Sequence, residues 1–579
     1  MIAARGAAAR ALPRALRAAP SPARRLAAPA RAAQPATEAP PAAAAAAAPP
    51  GPGTDQQLRA RTAAAGTAFT LGDEKIEPPP GGATYADLRR RPINYSPETP
   101  FTVDNAAEAD AARFRLHPSV DFWRSFGTRF DSRSIGNDFR GSGSLGPESS
   151  DVLGMLSASA LADAESAAYW AYHLGRTGFF LVSSAAGAVA HHLTETLSGG
   201  GRRTPFQNLT ANARAEVENR LKEGVAMFSQ DLANIKAGAY KLPWDMTTPT
   251  HRQFNPAFVA RKAATFVGEA VETLNRRLSR GDTSPWFNST MYPDYYMQNT
   301  FHYQTDGWLS ARSAGVYEFS TESLFFGRQD SMQRTALLAL REWMEEEGRD
   351  APSVRLLEVA CGTGRFHTFV KDNYPGMQTV ASDLSPFYLS AARDNLGYWK
   401  RTRQPDARLG GGPFEAGTKF LQCPAEAVPE PDESFDAVLC VYLFHELPES
   451  ARLAAAKEWA RLLKPGGTVV LVDSCQLGDR PAWDPTLGAF GEFNEPHYRN
   501  YIACDMGALF EAAGLQPRTK YLASATKVWS FVKPRTAGGE ARTAGGEAPM
   551  AGVEARTANG GSRTADGGAR AAAADPSLN

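Results

Sequence analysis

Residues 354–365 read VRLLEVACGTGR. A run of mostly apolar residues leads into the acidic Glu358, and a turn follows whose glycines, Gly362 and Gly364, bracket a threonine. That order predicts a buried strand breaking into a tight loop before a helix, because glycine lets backbone amides approach a ligand that any Cβ would block. The stretch is therefore a ligand loop, and its surroundings have to say for which ligand.

Downstream, strand and helix patterns alternate. A helix near 366–373 ends at Pro375 and Gly376, QTVASD (378–383) is a second strand ending on Asp383, and Ser385 is placed to cap SPFYLSAARDNL (385–396). The triple glycine 410–412 leads to a third strand, TKFLQC (418–423), and FDAVLCVYLF (435–444) is the fourth. Pro448 sits early in a helix ESARLAAAKEWARLL (449–463), KPGG (464–467) is expected to terminate it, and TVVLVD (468–473) is the fifth strand. After a helix at 504–514, LQPRTKYLA (515–523) and TKVWSFVK (526–533) form a closing hairpin. The class is α/β, with a doubly wound, Rossmann-like sheet carrying an antiparallel edge.

No Gly-Lys-Ser/Thr closes the loop, so a phosphate-cradling site lacks its lysine and its magnesium hydroxyl. The dinucleotide fingerprint also falls short, since His367 stands where its third glycine would be. A ligand made of an amino acid, a ribose and an adenine fits better. Glu358 is placed to help hold a cationic amino group, the amides of 362–364 to line the amino-acid region, and Asp383 to accept from both ribose hydroxyls.

With EVACGTG, SDLS, PAEAVPEPDESFDAVLC, LLKPGG and the hairpin in this order, residues 331–533 resemble the class I S-adenosylmethionine-dependent methyltransferases, and within them the ubiquinone/menaquinone-type small-molecule enzymes. The resemblance implies a seven-stranded sheet, S-adenosyl-L-methionine as cofactor, and Glu358, Gly362, Thr363, Gly364 and Asp383 as cofactor residues, with Leu384 on the adenine and Cys440 counted among them. Ala360 replaces the first loop glycine. Pro424 stands where an acid often reaches the adenine amino group, which shifts that contact to Ala425, Glu426 or backbone. The upstream block from PWDMTTPTHRQFNP (243–256) to NTFHYQTDGWLS (299–310) looks like a plant, algal and cyanobacterial branch of these proteins.

Methyl transfer is an in-line displacement at a carbon activated by a sulfonium, so the protein mainly aligns a nucleophile and excludes water. VYLFHELPES (441–450) puts Tyr442, His445 and Glu446 at the carboxyl end of the fourth strand, and His445 is the candidate general base, with a hydrogen bond to a loop carbonyl as its alternative. His497 and Tyr498 in NEPHYRNY, with His302 and Tyr303, are candidate substrate contacts. The aromatic stretch 292–310 suits either a pocket wall or a domain interface. No metal is predicted.

The remaining chain frames this domain. Seven arginines and no acid before Glu38 mark an organelle transit peptide, for a plastid with the mitochondrion as alternative, and residues 1–65 are excluded from the fold. Residues 66–330 are mainly helical: Val217, Leu221, Val225, Phe228, Leu232 and Ile235 share one helix face, and Val259, Ala263, Phe266, Ala270, Leu274 and Leu278 another. The methyltransferase-like domain occupies 331–534, and a seven-residue repeat with almost no apolar side chain predicts a disordered tail over 535–579. Zero net charge argues against a nucleic-acid partner. No apolar run reaches the ~20 residues of a membrane span, and GFFLVSSAAGAVA (178–190) is expected as a buried helix, leaving peripheral membrane contact open. The five cysteines lack disulfide or metal spacing and are expected as small buried residues. The expected function is methylation of a small, lipophilic or aromatic metabolite in an organelle. The alternatives are a catalytically silent fold in organellar complex assembly, and a nicotinamide-dependent oxidoreductase.

Overall fold

The computed structural model describes residues 69–71, 74–76, 101–129, 156, 162–197, 209–279, 292–297, 301–304, 307–403 and 417–535. The transit segment, the triple glycine and the repeat tail lie outside the described residues. A short antiparallel pair, β1 (Phe69–Leu71) and β2 (Glu74–Ile76), precedes the main sheet. The sheet contains β3 (Arg115–Leu116), β4 (Arg355–Val359), β5 (Gln378–Asp383), β6 (Thr418–Gln422), β7 (Phe435–Val441), β8 (Leu463–Ser474), β9 (Gln516–Ala523) and β10 (Thr526–Val532). Their order is β3-β9-β10-β8-β7-β4-β5-β6.

Strands β4 to β8 run parallel, and β10 lies antiparallel between β8 and β9. Counting from β4, the five parallel strands and the hairpin follow the order 3-2-1-4-5-7-6, so the doubly wound reading holds. The strand order reverses between β4 and β7, which opens a crevice at their carboxyl ends. The expected seven strands become eight because Arg115 and Leu116 add a parallel strand to β9, with Ser119 Oγ accepting from Leu522 N at 3.1 Å. Two residues among charged neighbours carry no strand periodicity, so only the exposed amides of the β9 edge reveal their pairing.

Alternate residues of each strand enter two cores. Leu357, Val359, Val438, Cys440 and Leu471 face Trp459, Leu509 and Phe510, while Leu356, Leu439, Val470 and Val528 face Leu337, Leu340 and Phe369. The helix Glu449–Leu462 begins after Pro448, whose ring presets φ at −62°, and buries Leu453, Ala456 and Trp459. KPGG does not separate this helix from the fifth strand, as the sequence suggested. Strand β8 starts at Leu463, directly after the helix, and the extra residues are absorbed as a register shift, Leu463 pairing with Phe435 and Thr468 with Ala437. Gly466, at φ +81°, makes that bulge and offers its carbonyl to Trp343 Nε1 at 3.0 Å.

The upstream helices share the second core, since Tyr169, Trp170, Val225, Phe228, Leu232 and Ile235 pack into the same cluster as Leu340 and Trp343. Leu221, assigned to that buried face by its spacing, is exposed. Arg334, on the helix Gln329–Glu346, binds the buried Asp231, which also accepts from Tyr169 Oη at 2.5 Å and Tyr240 Oη at 2.9 Å. The PWDM block grips the helix that follows the ligand loop: Trp244 Nε1 donates to Thr368 Oγ1 at 3.0 Å, and Asp245 pairs with Arg365. All five cysteines are buried and unbridged. Among the described residues no helix is long and apolar enough to cross a membrane. Residues 178–190 lie in the helix Ala164–Leu197, where Phe180 is buried and Val182 exposed.

Candidate functional site

The ligand loop leaves β4 in a left-handed bend: Ala360 has φ 52°, Gly362 56° and Gly364 70°. Ala360 thus keeps the backbone conformation of the glycine it replaces, at a steric cost on the order of 1 kcal/mol. The two glycines serve different ends. A Cβ on Gly364 would meet Ala392 Cα at 2.8 Å, so this glycine admits the next helix, whereas a Cβ on Gly362 would meet nothing within 4 Å and would point into open space. Gly364→Ala is therefore expected to cost about 2–4 kcal/mol in a denaturant titration. Gly362→Ala should lose ligand affinity with far less loss of stability.

Asp383, at the end of β5, closes the loop from the side. Its Oδ2 accepts from Gly362 N at 2.9 Å and its Oδ1 from Ser385 N at 2.8 Å. Burial pushes its carboxyl up to about 6 against the restraint of these amides, and among the described residues no lysine or arginine pairs with it. Leu384 packs with Tyr292, Tyr296 and Leu309, and Tyr295 Oη donates to Glu426 Oε1 at 2.8 Å, so the aromatic stretch walls this side of the crevice. Ala425 offers its carbonyl to Trp459 Nε1 at 3.1 Å.

Two expected cofactor side chains turn inward. Glu358 is buried and its Oε2 lies 2.6 Å from His367 Nδ1, while His367 Nε2 reaches Thr379 Oγ1 at 3.1 Å. The histidine that breaks the dinucleotide fingerprint thus ties the loop's acid to β5. Cys440 is fully buried in the first core, so its side chain contributes packing and touches no ligand space. Thr363 is buried as well, and its hydroxyl donates to Glu318 Oε1 at 3.0 Å. Asn395 Nδ2 spans Glu318 Oε1 at 2.6 Å and Thr363 O at 2.9 Å. Glu318, on the helix Ala311–Leu324, escaped the sequence reading, since a lone acid 45 residues upstream carries no motif.

The other half of the crevice is built on β7 and β8. Tyr442 takes a left-handed backbone at φ 55° and bonds Thr526 Oγ1 through its hydroxyl. His445 Nδ1 lies 2.6 Å from Oδ1 of the fully buried Asp473, which also accepts from His445 N at 3.2 Å. His302 enters from the aromatic stretch, with Nε2 3.2 Å from Glu446 Oε1 and Nδ1 3.0 Å from Glu495 Oε1. Burial lowers both imidazoles, but the carboxylates outweigh it: Asp473, with Glu495 and Glu446, raises His445 to about 9, and Glu495 with Glu446 raises His302 to about 10. The Asp473 carboxylate thus favours the protonated imidazole and holds His445 as a hydrogen-bonded partner at the carboxyl end of β7. Tyr498 is buried with its ring 6.2 Å from that of His445. His497 does not join this group; burial and Arg452 push its imidazole down to about 4. Tyr303 follows His302 in the same turn, and its side chain lies outside the described residues.

Residues 357–471 match the family model described as Methyltransferase domain. This chain carries a class I S-adenosylmethionine-dependent methyltransferase domain. A demethylmenaquinone methyltransferase of Deinococcus radiodurans is 33% identical over 150 residues, 25% of this chain and 55% of the relative. A demethylmenaquinone methyltransferase of Thermus thermophilus is 31% identical over 176 residues, 30% of this chain and 64% of the relative. A ubiquinone/menaquinone biosynthesis C-methyltransferase of Geobacter sulfurreducens is 27% identical over 158 residues, covering 27% and 53%. The chain thus spans less than two thirds of the length of each. The upstream helices that supply Glu318 and His302 to the methyltransferase domain lie outside the family match.

The residues present fit S-adenosylmethionine. Asp383 is a half-buried acceptor with no cationic partner among the described residues, beside a turn whose Gly362 faces open space, which suits a diol next to a backbone-lined amino-acid site. Glu358 supports the loop of the methyltransferase domain through His367.

Proposed function

We propose that this protein transfers a methyl group from S-adenosylmethionine to a small, lipophilic or aromatic metabolite, in an organelle, with the plastid ahead of the mitochondrion. The observation that carries this reading is the Asp383 carboxylate, half-buried at the crevice and accepting from Gly362 N of the left-handed loop. Asp383 would hold the ribose and the 362–364 amides the amino-acid portion, while Leu384 and the tyrosines around it would cover the adenine. The cofactor supplies an electrophilic methyl group on a sulfonium, and the protein's task is alignment and exclusion of water. On the acceptor side, His445 and His302 present positive charge beside Glu446, and Tyr498 adds an aromatic face, which suits an acceptor carrying an ionisable oxygen on an apolar body. The quinone-type relatives support an acceptor of this kind.

The test uses the full chain. Calorimetry with S-adenosylhomocysteine is expected to give one site, and incubation with methyl-labelled S-adenosylmethionine and a plastid extract is expected to label one low-molecular-weight, organic-extractable product. Absence of S-adenosylhomocysteine binding would sink the cofactor assignment, and binding without any labelled product from a plastid or a mitochondrial extract would favour the silent, assembly-factor alternative.

A further inference from the structure

His302, His445 and Glu446 present ligand-type atoms that all lie within 4.8 Å of one another, from two segments, the turns Phe301–Tyr303 and Phe444–Glu446, that the fold brings together. Glu446 Oε1 stands 3.2 Å from His302 Nε2 and 3.8 Å from His445 Nε2. For metal–nitrogen and metal–oxygen bonds of about 2.1 Å, neighbouring ligand atoms sit roughly 3.0–3.4 Å apart, so the two contacts to Glu446 would close by less than about 1 Å and the pair of imidazoles by at most about 2 Å.

The outer partners are those that metal-binding histidines ordinarily require. His445 Nδ1 is held by the fully buried Asp473 at 2.6 Å, and His302 Nδ1 by Glu495 at 3.0 Å. Each carboxylate fixes the far ring nitrogen, so both Nε2 atoms are turned toward Glu446. An ordinary pair of neighbouring histidines needs no such matched orientation. Glu495 adds an independent sign: it is 4% exposed, and its Oε2 is buried without a hydrogen-bond partner. A buried carboxylate oxygen without a donor is costly unless a positive ligand compensates it.

We infer that His302, His445 and Glu446 form a binding site for one divalent cation, with Asp473 and Glu495 as the groups that orient its two histidines. Two imidazoles with one carboxylate select a borderline ion of the zinc, cobalt, manganese or ferrous class over calcium or magnesium, which prefer all-oxygen sites. Three protein ligands leave coordination positions open. Sequence spacing gave no hint of this site because only His445 and Glu446 are neighbours in the chain.

The probe is Co²⁺ alone, added to chelator-treated full-length protein and followed by its visible absorption. One equivalent is expected to bind with a d–d spectrum and to be displaced by Zn²⁺. His302→Ala and His445→Ala should each weaken Co²⁺ binding about 100-fold or more. Asp473→Asn, which reaches the ion only through His445, should weaken it about 10- to 100-fold and shift the spectrum. Should a histidine variant fail to fold, the near-isosteric Glu446→Gln carries the test, with the far-ultraviolet circular dichroism of each variant as the check on folding. Absence of a Co²⁺ spectrum in the wild type, or one that folded variants leave unchanged, overturns the site. Because no cofactor or acceptor is present, the outcome is separate from that of the methyl-transfer reading.

Discussion

Asp383→Ala is expected to lower the affinity for S-adenosylhomocysteine by about 100-fold or more at little net cost in stability, the relieved charge offsetting the amide bonds lost at Gly362 and Ser385. The loss follows from removing an ionised acceptor for two ribose hydroxyls, each charge-assisted bond contributing about 1.5–3 kcal/mol, and a tenfold change in affinity corresponding to about 1.4 kcal/mol. The small net cost follows from the same carboxylate's surroundings. Burial raises its pKa to about 6 from the usual 3.8, so in the unliganded protein its ionisation at neutral pH opposes folding. That opposing contribution is absent below the unfolded pKa and complete above the folded one, so the alanine variant should gain relative to wild type as pH rises from about 4 to 7. Binding runs the other way. The accepting form disappears as pH falls through about 6, so wild-type affinity should be flat above about pH 7 and fall by about tenfold per pH unit below 6. Calorimetry across pH 5–8 checks this, and an affinity that stays level down to pH 5 would overturn the raised pKa, while an unchanged affinity in Asp383→Ala would remove Asp383 from the site.

Asp231→Ala should cost about 3–5 kcal/mol, read as a shift of the denaturation midpoint. The substitution strands Arg334, which is 1% exposed, without its carboxylate, and removes the acceptor shared by the Tyr169 and Tyr240 hydroxyls. The buried charge left behind dominates the loss. A double variant, Asp231→Leu with Arg334→Met, should therefore be more stable than Asp231→Ala alone. If the single and double variants lost the same amount, the upstream helices would be held by packing alone.

The parts of this molecule that were legible in its sequence are those fixed by local chemistry. The loop after β4 announces itself through Gly362 and Gly364, Asp383 through its place at the end of a strand, and the parallel strands through unbroken apolar runs. What was not legible depends on partners distant in the chain. Glu358 looked like a ligand group until His367 was seen against it. Cys440 lies in a motif, but strand alternation turns its side chain into the core. His445 had the right location for a base, and its pairing with Asp473, 28 residues later, sets its charge. Glu318 and Glu495 sit in stretches without a pattern, and only tertiary packing gives them a role.

The eighth strand has a consequence for how the chain reaches this state. Arg115 pairs with Thr519 across 404 residues, and Trp529 Nε1 donates to Asp110 across 419. At ribosomal rates of about 5–20 residues per second, roughly 20–80 s separate synthesis of the two partners. The helix Ala106–Arg113 and the strand beside it emerge long before the hairpin that receives them. Folding of the early segment therefore waits for the hairpin, and residues 106–116 find their place only once residues 516–532 have been made.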